Sequence, residues 1–110
     1  MNKTESLKSN FDFKKLYDNK NSYANKFLIM YIRENGTDSN RLGISVSKKV
    51  GNSVVRHRTT RLIRQSYLGL KDELPDGFHF VVIARSDAAN KKQQDMDEAL
   101  RHLFKLQGLV

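Results

Sequence analysis

The chain has 110 residues and a mass of 12.7 kDa, with 20 Lys and Arg against 12 Asp and Glu, a formal charge of +8. That length makes one domain over 1–110, and 38% hydrophobic residues suffice for one small core. The absence of cysteine excludes a disulfide framework, thiolate metal sites and a cysteine nucleophile, and the longest strongly apolar run, Phe27 to Ile32, is far too short to span a bilayer.

Residues 1–8 are polar, lack the apolar stretch of a signal peptide and are expected to fray, which predicts a cytoplasmic domain. Ser9 or Asn10 is placed to cap a short helix over 11–18, in which Phe13, Leu16 and Tyr17 fall at helical spacing. Asn19 to Ser22 reads as a turn, with a short additional strand near Ser22-Tyr23-Ala24. Lys26 to Arg33 reads as a strand. Phe27, Ile29 and Tyr31 face one way and Leu28, Met30 and Ile32 the other, which predicts a central strand covered on both faces. Glu34 to Asp38 predicts a hairpin loop. Arg41 to Ser47 alternates, with Leu42, Ile44 and Val46 toward a core. Its other face, Arg41, Gly43, Ser45 and Ser47, is small and polar and suits an extended ligand. Asn52 or Ser53 caps a helix running to about Leu70. After a loop over 72–77, Phe78 to Ala84 reads as a buried strand. Asn90 or Asp95 opens a last helix with Met96, Leu100, Leu103, Phe104 and Leu106 as its apolar stripe, and Asp95, Asp97 and Glu98 suit its dipole rather than catalysis. The order makes an α+β layer sandwich.

The charge is not evenly spread. Segment 39–71 holds eight basic residues (Arg41, Lys48, Lys49, Arg56, Arg58, Arg61, Arg64 and Lys71) and no Asp or Glu, so the whole formal excess lies there. One acid-free segment points to a polyanion, above all a nucleic acid. A solvated basic helix face and an anionic membrane surface are the alternatives; the latter lacks a broad exposed apolar stripe to insert.

At about 100° per residue, Val55, Thr59, Leu62, Ile63, Ser66 and Leu70 form the packing stripe of the basic helix. Arg64, His57, Arg61, Gln65 and Arg58 form a cationic ridge on the far side, and Arg56 points to the other flank. At the start of the helix, free N–H groups and the positive dipole end favour a phosphate, Gly51 permits close approach, and Lys48 and Lys49 stand beside it. Phe13, Tyr17 and Tyr31 could stack unpaired bases, although aromatics at such spacing are more often core. His57, His79 and His102 show no metal spacing, and there is no P-loop, G-x-S-x-G or carboxylate cluster in the basic segment. These observations point to an RNA-binding protein that is not itself the catalyst.

The run Arg41-Leu42-Gly43-Ile44-Ser45-Val46-Ser47-Lys48-Lys49-Val50-Gly51-Asn52-Ser53-Val54-Val55-Arg56-His57-Arg58, continuing through Arg61-Leu62-Ile63-Arg64-Gln65, closely resembles the bacterial ribonuclease P protein family. Phe13, Tyr17, Ala24-Asn25, Tyr31 and Val81-Val82-Ile83-Ala84-Arg85 fall where that family has its first helix, central strand and last strand. The resemblance implies a two-layer sandwich of order α-β-β-β-α-β-α with a four-stranded sheet and a left-handed crossover through the basic helix, against the general rule. It further implies the protein component of an RNA enzyme that removes the 5′ leader from precursor tRNA, with hydrolysis carried by the RNA subunit and by magnesium held mainly there. The implied partners are ribonuclease P RNA and precursor tRNA, without membrane or small-molecule substrate, the protein being monomeric alone. By position, Lys48, Lys49, Asn52, Arg56, His57, Arg58, Arg61 and Arg64 would lie against the RNA subunit, part of this motif helping to position metal ions. Phe13, Tyr17 and Tyr31 would hold the single-stranded leader. Two positions depart from the family pattern: His57 stands where an Asn is usual, and Thr60 where a Lys is common. Two other readings stay open: a ribosomal or ribosome-assembly RNA binder, and a stand-alone ribonuclease using His79 and His102.

Overall fold

The computed structural model describes residues 4–6 and 22–110. The expected helix over 11–18, with Phe13 and Tyr17, lies outside the described residues. The elements are strands β1 (Thr4–Ser6), β2 (Ser22–Ala24), β3 (Leu28–Glu34) and β4 (Asn40–Ser45), helix α1 (Ser53–Leu70), strand β5 (Phe78–Ala84) and helix α2 (Gln93–Leu106).

Phe78–Ala84, as apolar as its sequence suggests, takes the middle of the sheet, whose order is β1-β4-β5-β3-β2. It runs antiparallel to β3 and parallel to β4. The expected four-stranded mixed sheet is therefore present, with β2 at one edge. Thr4–Ser6, expected to fray, adds a fifth short strand parallel to β4.

The connection over 35–39 corrects the hairpin reading. β3 and β4 are not neighbours, because β5 lies between them. The loop passes over the entrance to β5, where the Asn35 N–H donates to the Gly77 carbonyl at 2.9 Å. Gly77 has φ +90°, and a Cβ there would come within 2.7 Å of the Thr37 carbonyl oxygen, so both conformation and space require glycine. Fully buried Asn40 completes the junction. Its Nδ2 donates to the Pro75 carbonyl at 3.0 Å and its Oδ1 accepts from the Phe78 N–H at 2.9 Å.

Both helices cover one face of the sheet. Leu28, Met30, Ile32, Leu42, Phe80 and Val82 meet Leu62, Ile63, Tyr67 and Leu70 of α1 and Met96, Leu100, Leu103 and Phe104 of α2. Phe80 and Phe104 meet edge to face at 5.3 Å between ring centroids. On the opposite face Val81 is fully buried against Tyr31 and Ile83, which are themselves half-buried. Full cover of β3 on both faces is thus realised on the helix side only among the described residues.

The packing stripe of α1 is as spaced, with Val55 at its half-buried edge and Tyr67 as an unanticipated fully buried member. In α2 the stripe runs through Met96, Ala99, Leu100, Leu103 and Phe104, whereas Leu106, expected to belong to it, is 43% exposed. The N-cap of α2 is Lys92 rather than Asn90 or Asp95. Asp95 acts from inside the first turn, accepting the Lys92 N–H at 3.0 Å.

Candidate nucleic-acid interface

The basic surface starts in the turn between β4 and α1. The Val50 N–H donates to the Ser47 carbonyl at 3.0 Å, which leaves Val50 buried and Lys48 and Lys49 exposed. Gly51 belongs to this turn for a steric reason different from the expected approach of a ligand. A Cβ at Gly51 would stand 2.8 Å from both Cβ and Cγ1 of Val55, inside contact distance. Asn52 then caps α1, its Oδ1 accepting the Val55 N–H at 3.0 Å. With no acidic residue in the first turn, the positive end of the helix is left to Lys48 and Lys49.

Along α1, His57, Arg61, Arg64 and Gln65 are exposed, as the angular reading requires. Two apolar side chains share this face: Val54, 75% exposed, near its start and Leu68, 46% exposed, near its end. Neither was singled out by charge, although both fall on the ridge at helical spacing. Arg58 is less available than the sequence suggests. It is half-buried, and its Nη1 donates to the Lys91 carbonyl at 2.8 Å. Arg56, on the other flank, is half-buried, and its Nε has no hydrogen-bond partner among the described residues. Thr60 donates its hydroxyl to the Arg56 carbonyl at 2.9 Å, so this side chain serves the helix backbone.

The sheet face away from the helices forms a second surface, and strand register arranges it in rows. Ser22, Tyr31, Val81 and Gly43 make one row, and Ala24, Ile29, Ile83 and Ser45 the next. Arg33, His79 and Arg41 make a third, beside Tyr31. Tyr31 is thus placed next to a row that carries two arginines, with Glu5 of β1 in register with Arg41 at its end. Arg33 and His79 were not anticipated there, because only the pairing of β5 between β3 and β4 aligns them.

The two remaining histidines do not meet. His79 faces away from the helix layer, as its neighbour Phe80 packs on α2. His102 lies on α2, its Nδ1 3.3 Å from Asn25 Nδ2. An acid and a base flanking one phosphate are therefore not provided by this pair. Among the described residues no three His, Asp or Glu side chains converge to hold a metal ion. The acid-free ridge likewise offers magnesium no carboxylate oxygen, so its donor set does not fit that ion. No helix among the described residues is long and apolar enough to cross a membrane.

The family model for ribonuclease P matches residues 1–107. The chain belongs to the ribonuclease P protein family. It is 49% identical over 108 residues to the ribonuclease P protein component of Lachnoclostridium phytofermentans, covering 97% of this chain and 92% of that protein. Identity to the component from Clostridioides difficile is 41% over 105 residues, 94% of this chain and 92% of the relative. The solved ribonuclease P protein of Staphylococcus aureus superposes with a TM-score of 0.86 at 34% identity, over 94% of this chain and 95% of that one. That of Thermotoga maritima gives 0.83 at 30% identity, over 93% and 96%. The α+β architecture is thus that of ribonuclease P proteins.

Proposed function

We propose that this ribonuclease P protein binds the catalytic RNA through the turn at Lys48 and Lys49 and the ridge of α1, and binds the 5′ leader of precursor tRNA on the opposite sheet face. The observation that carries this reading is the separation of two surfaces by one sheet. The ridge, with Asn52, His57, Arg61 and Arg64, belongs to the helix layer, and Tyr31 belongs to the other side. Arg is suited to bidentate phosphate contacts on a folded RNA, and an aromatic ring beside cations is suited to stacking an unpaired base. Arg56 flanks the ridge, and Arg58, half-buried within it, contributes at its start. Phe13 and Tyr17, outside the described residues, are assigned to the leader surface with Tyr31 by their positions in the family pattern. Hydrolysis is left to the RNA subunit and its magnesium ions, and the protein acts as a cytoplasmic monomer that joins one RNA partner to another.

Reconstitution tests this reading. The protein, mixed with a ribonuclease P RNA at low magnesium, is expected to increase precursor-tRNA cleavage and leader affinity. Binding is expected to weaken with salt, with a log–log slope of about −0.7 per single-strand phosphate contact. No gain in either cleavage or affinity overturns the proposal, as does cleavage by the protein alone.

A further inference from the structure

Among the described residues five large apolar side chains are exposed, and two of them, Val54 and Leu68, lie on the cationic face of α1. Each stands seven residues from Arg61, one before it and one after. At about 1.5 Å per residue that is about 10 Å along the axis in each direction. A seven-residue interval stays on one face of a helix, with a drift of about 20° per interval. Arg58 and Gln65 fill the positions between, so a single stripe reads Val54, Arg58, Arg61, Gln65, Leu68.

The core does not call for an aliphatic side chain at either end of this stripe. α1 packs through the opposite face, where Thr59, Leu62, Ile63, Ser66, Tyr67 and Leu70 are buried. Val54 is the most exposed of the five apolar side chains, and valine is a poorer helix former than alanine, so position 54 gains little packing and loses propensity. One exposed aliphatic residue is ordinary on a protein surface. Two in register with the arginines of an acid-free face form a pattern that a solvated helix does not need.

The interval of seven is also that of a seam between two helices. A second copy laid along the stripe would set Arg58 and Arg61 of one chain against the arginines of the other, with no acid on either ridge to relieve them. Like charges facing each other across an interface are costly. RNA removes that conflict. Its phosphates take the arginines, and its riboses and unpaired bases offer apolar surface between those phosphates. Phosphate contacts alone hold any polyanion and carry no selectivity.

We infer that Val54 and Leu68 are apolar contacts to the RNA subunit, each packed on the ribose or unpaired-base surface of a nucleotide, while Arg58 and Arg61 hold phosphates between them. The pair makes the ridge selective for a folded RNA that presents two such surfaces about 20 Å apart, over a polyanion without them. The inference rests on the proposed use of the ridge.

Filter binding to ribonuclease P RNA over a salt series, beside elution from heparin (a polyanion without bases), tests it. Val54→Ala and Leu68→Gln are each expected to weaken RNA binding about fivefold, the scale of one or two apolar carbons withdrawn from burial. The log–log salt slope is expected to stay unchanged, because no phosphate contact is lost, and so is elution from heparin. Val54→Ala favours the helix and is expected not to lower the melting temperature, which separates lost contact from lost folding. Arg61→Ala, in contrast, is expected to reduce the slope by about one and to elute earlier from heparin. Unchanged RNA affinity in the Val54→Ala, Leu68→Gln double variant overturns the inference, as does a loss shared equally with heparin. A dimer of the unaltered protein that the double variant dissolves, read by sedimentation, also overturns it and gives the stripe to a second copy. If Arg61→Ala weakens RNA binding while the double variant does not, only the apolar assignment falls; if neither does, the ridge assignment falls with it.

Discussion

Arg58 Nη1 donates to the Lys91 carbonyl oxygen at 2.8 Å, so one cation of the α1 ridge fastens that helix to the segment entering α2. Arg61, one turn further, is exposed and makes no such bond among the described residues. Two arginines that look alike in sequence therefore have different work.

Their alanine variants are expected to part company. Arg58→Ala lowers folding stability by about 1 kcal/mol, the net worth of a hydrogen bond, and weakens RNA binding as well. Arg61→Ala leaves stability unchanged and weakens RNA binding by about 1–3 kcal/mol, the range for a charge-assisted contact. Urea unfolding and filter binding on the same preparations separate the two; equal loss of stability in both variants contradicts the assignment.

Tyr31 sits in the row Ser22, Tyr31, Val81, Gly43, beside the row containing Arg33 and Arg41. Tyr31→Ala is expected to weaken binding of leader-bearing precursor tRNA by about 1–3 kcal/mol, as for a lost base stack. Tyr31→Phe keeps the ring and most of the affinity. Mature tRNA, which lacks the leader, is expected to bind both variants like the unaltered holoenzyme, and an equal loss for both substrates contradicts the division of surfaces.

The close approach of Gly51 to Val55 gives a third test. Gly51→Ala places a methyl group 2.8 Å from Val55 Cβ and Cγ1, within the capped start of α1. Overpacking of this kind costs about 1–3 kcal/mol. Adding Val55→Ala removes Cγ1 and Cγ2 but keeps the Cβ, so part of the clash is relieved and the double variant is expected to be more stable than the sum of the single losses allows. Strict additivity in a thermal or urea cycle argues against a steric cause.

Glu73 and Arg101 supply a pH prediction. The hydrogen bonds from Arg101 hold the Glu73 carboxyl below its ordinary value of 4.5, and Glu73 in turn raises the pKa of Arg101. A carboxylate whose folded pKa is depressed stabilises the fold above its unfolded pKa and loses that contribution as pH falls through the folded one. Both side chains are exposed, so the effect is small. The stability difference between the unaltered protein and Glu73→Gln is expected to shrink as pH drops below the ordinary carboxylate range. A difference that stays constant through acid points to packing rather than charge.

Much of this was legible in the residues themselves. A cap at Asn52 or Ser53, the stripe through Thr59, Leu62, Ile63, Ser66 and Leu70, and the span Phe78 to Ala84 all follow from local spacing, and the structure has them there, with Asn52 as the cap. The ridge residues were legible too, because helical periodicity fixes which side chains share a face. What local spacing does not carry is pairing between distant segments. Glu34 to Asp38 looks like a hairpin turn in isolation, and only the insertion of β5 makes it a bridge. The same insertion aligns His79 with Arg33 and Arg41, which no pattern within a single strand reveals. Likewise, the diversion of Arg58 to Lys91 depends on where α2 begins, more than thirty residues away in the chain.

The late position of β5 in the chain has a consequence for how the molecule comes into being. Its two neighbours in the sheet are both synthesised before α1, and the strand that must separate them emerges only after that helix. A nascent polypeptide halted ahead of residue 78 holds β3 and β4 with nothing to hydrogen-bond between them, and a helix whose apolar stripe lacks its Phe80 and Val82 platform. Such dependence on distant partners makes for slow, all-or-none maturation. The arginine-bearing helix therefore acquires its final mounting only after β5 and α2 have been made, so a half-made chain cannot present it in that setting.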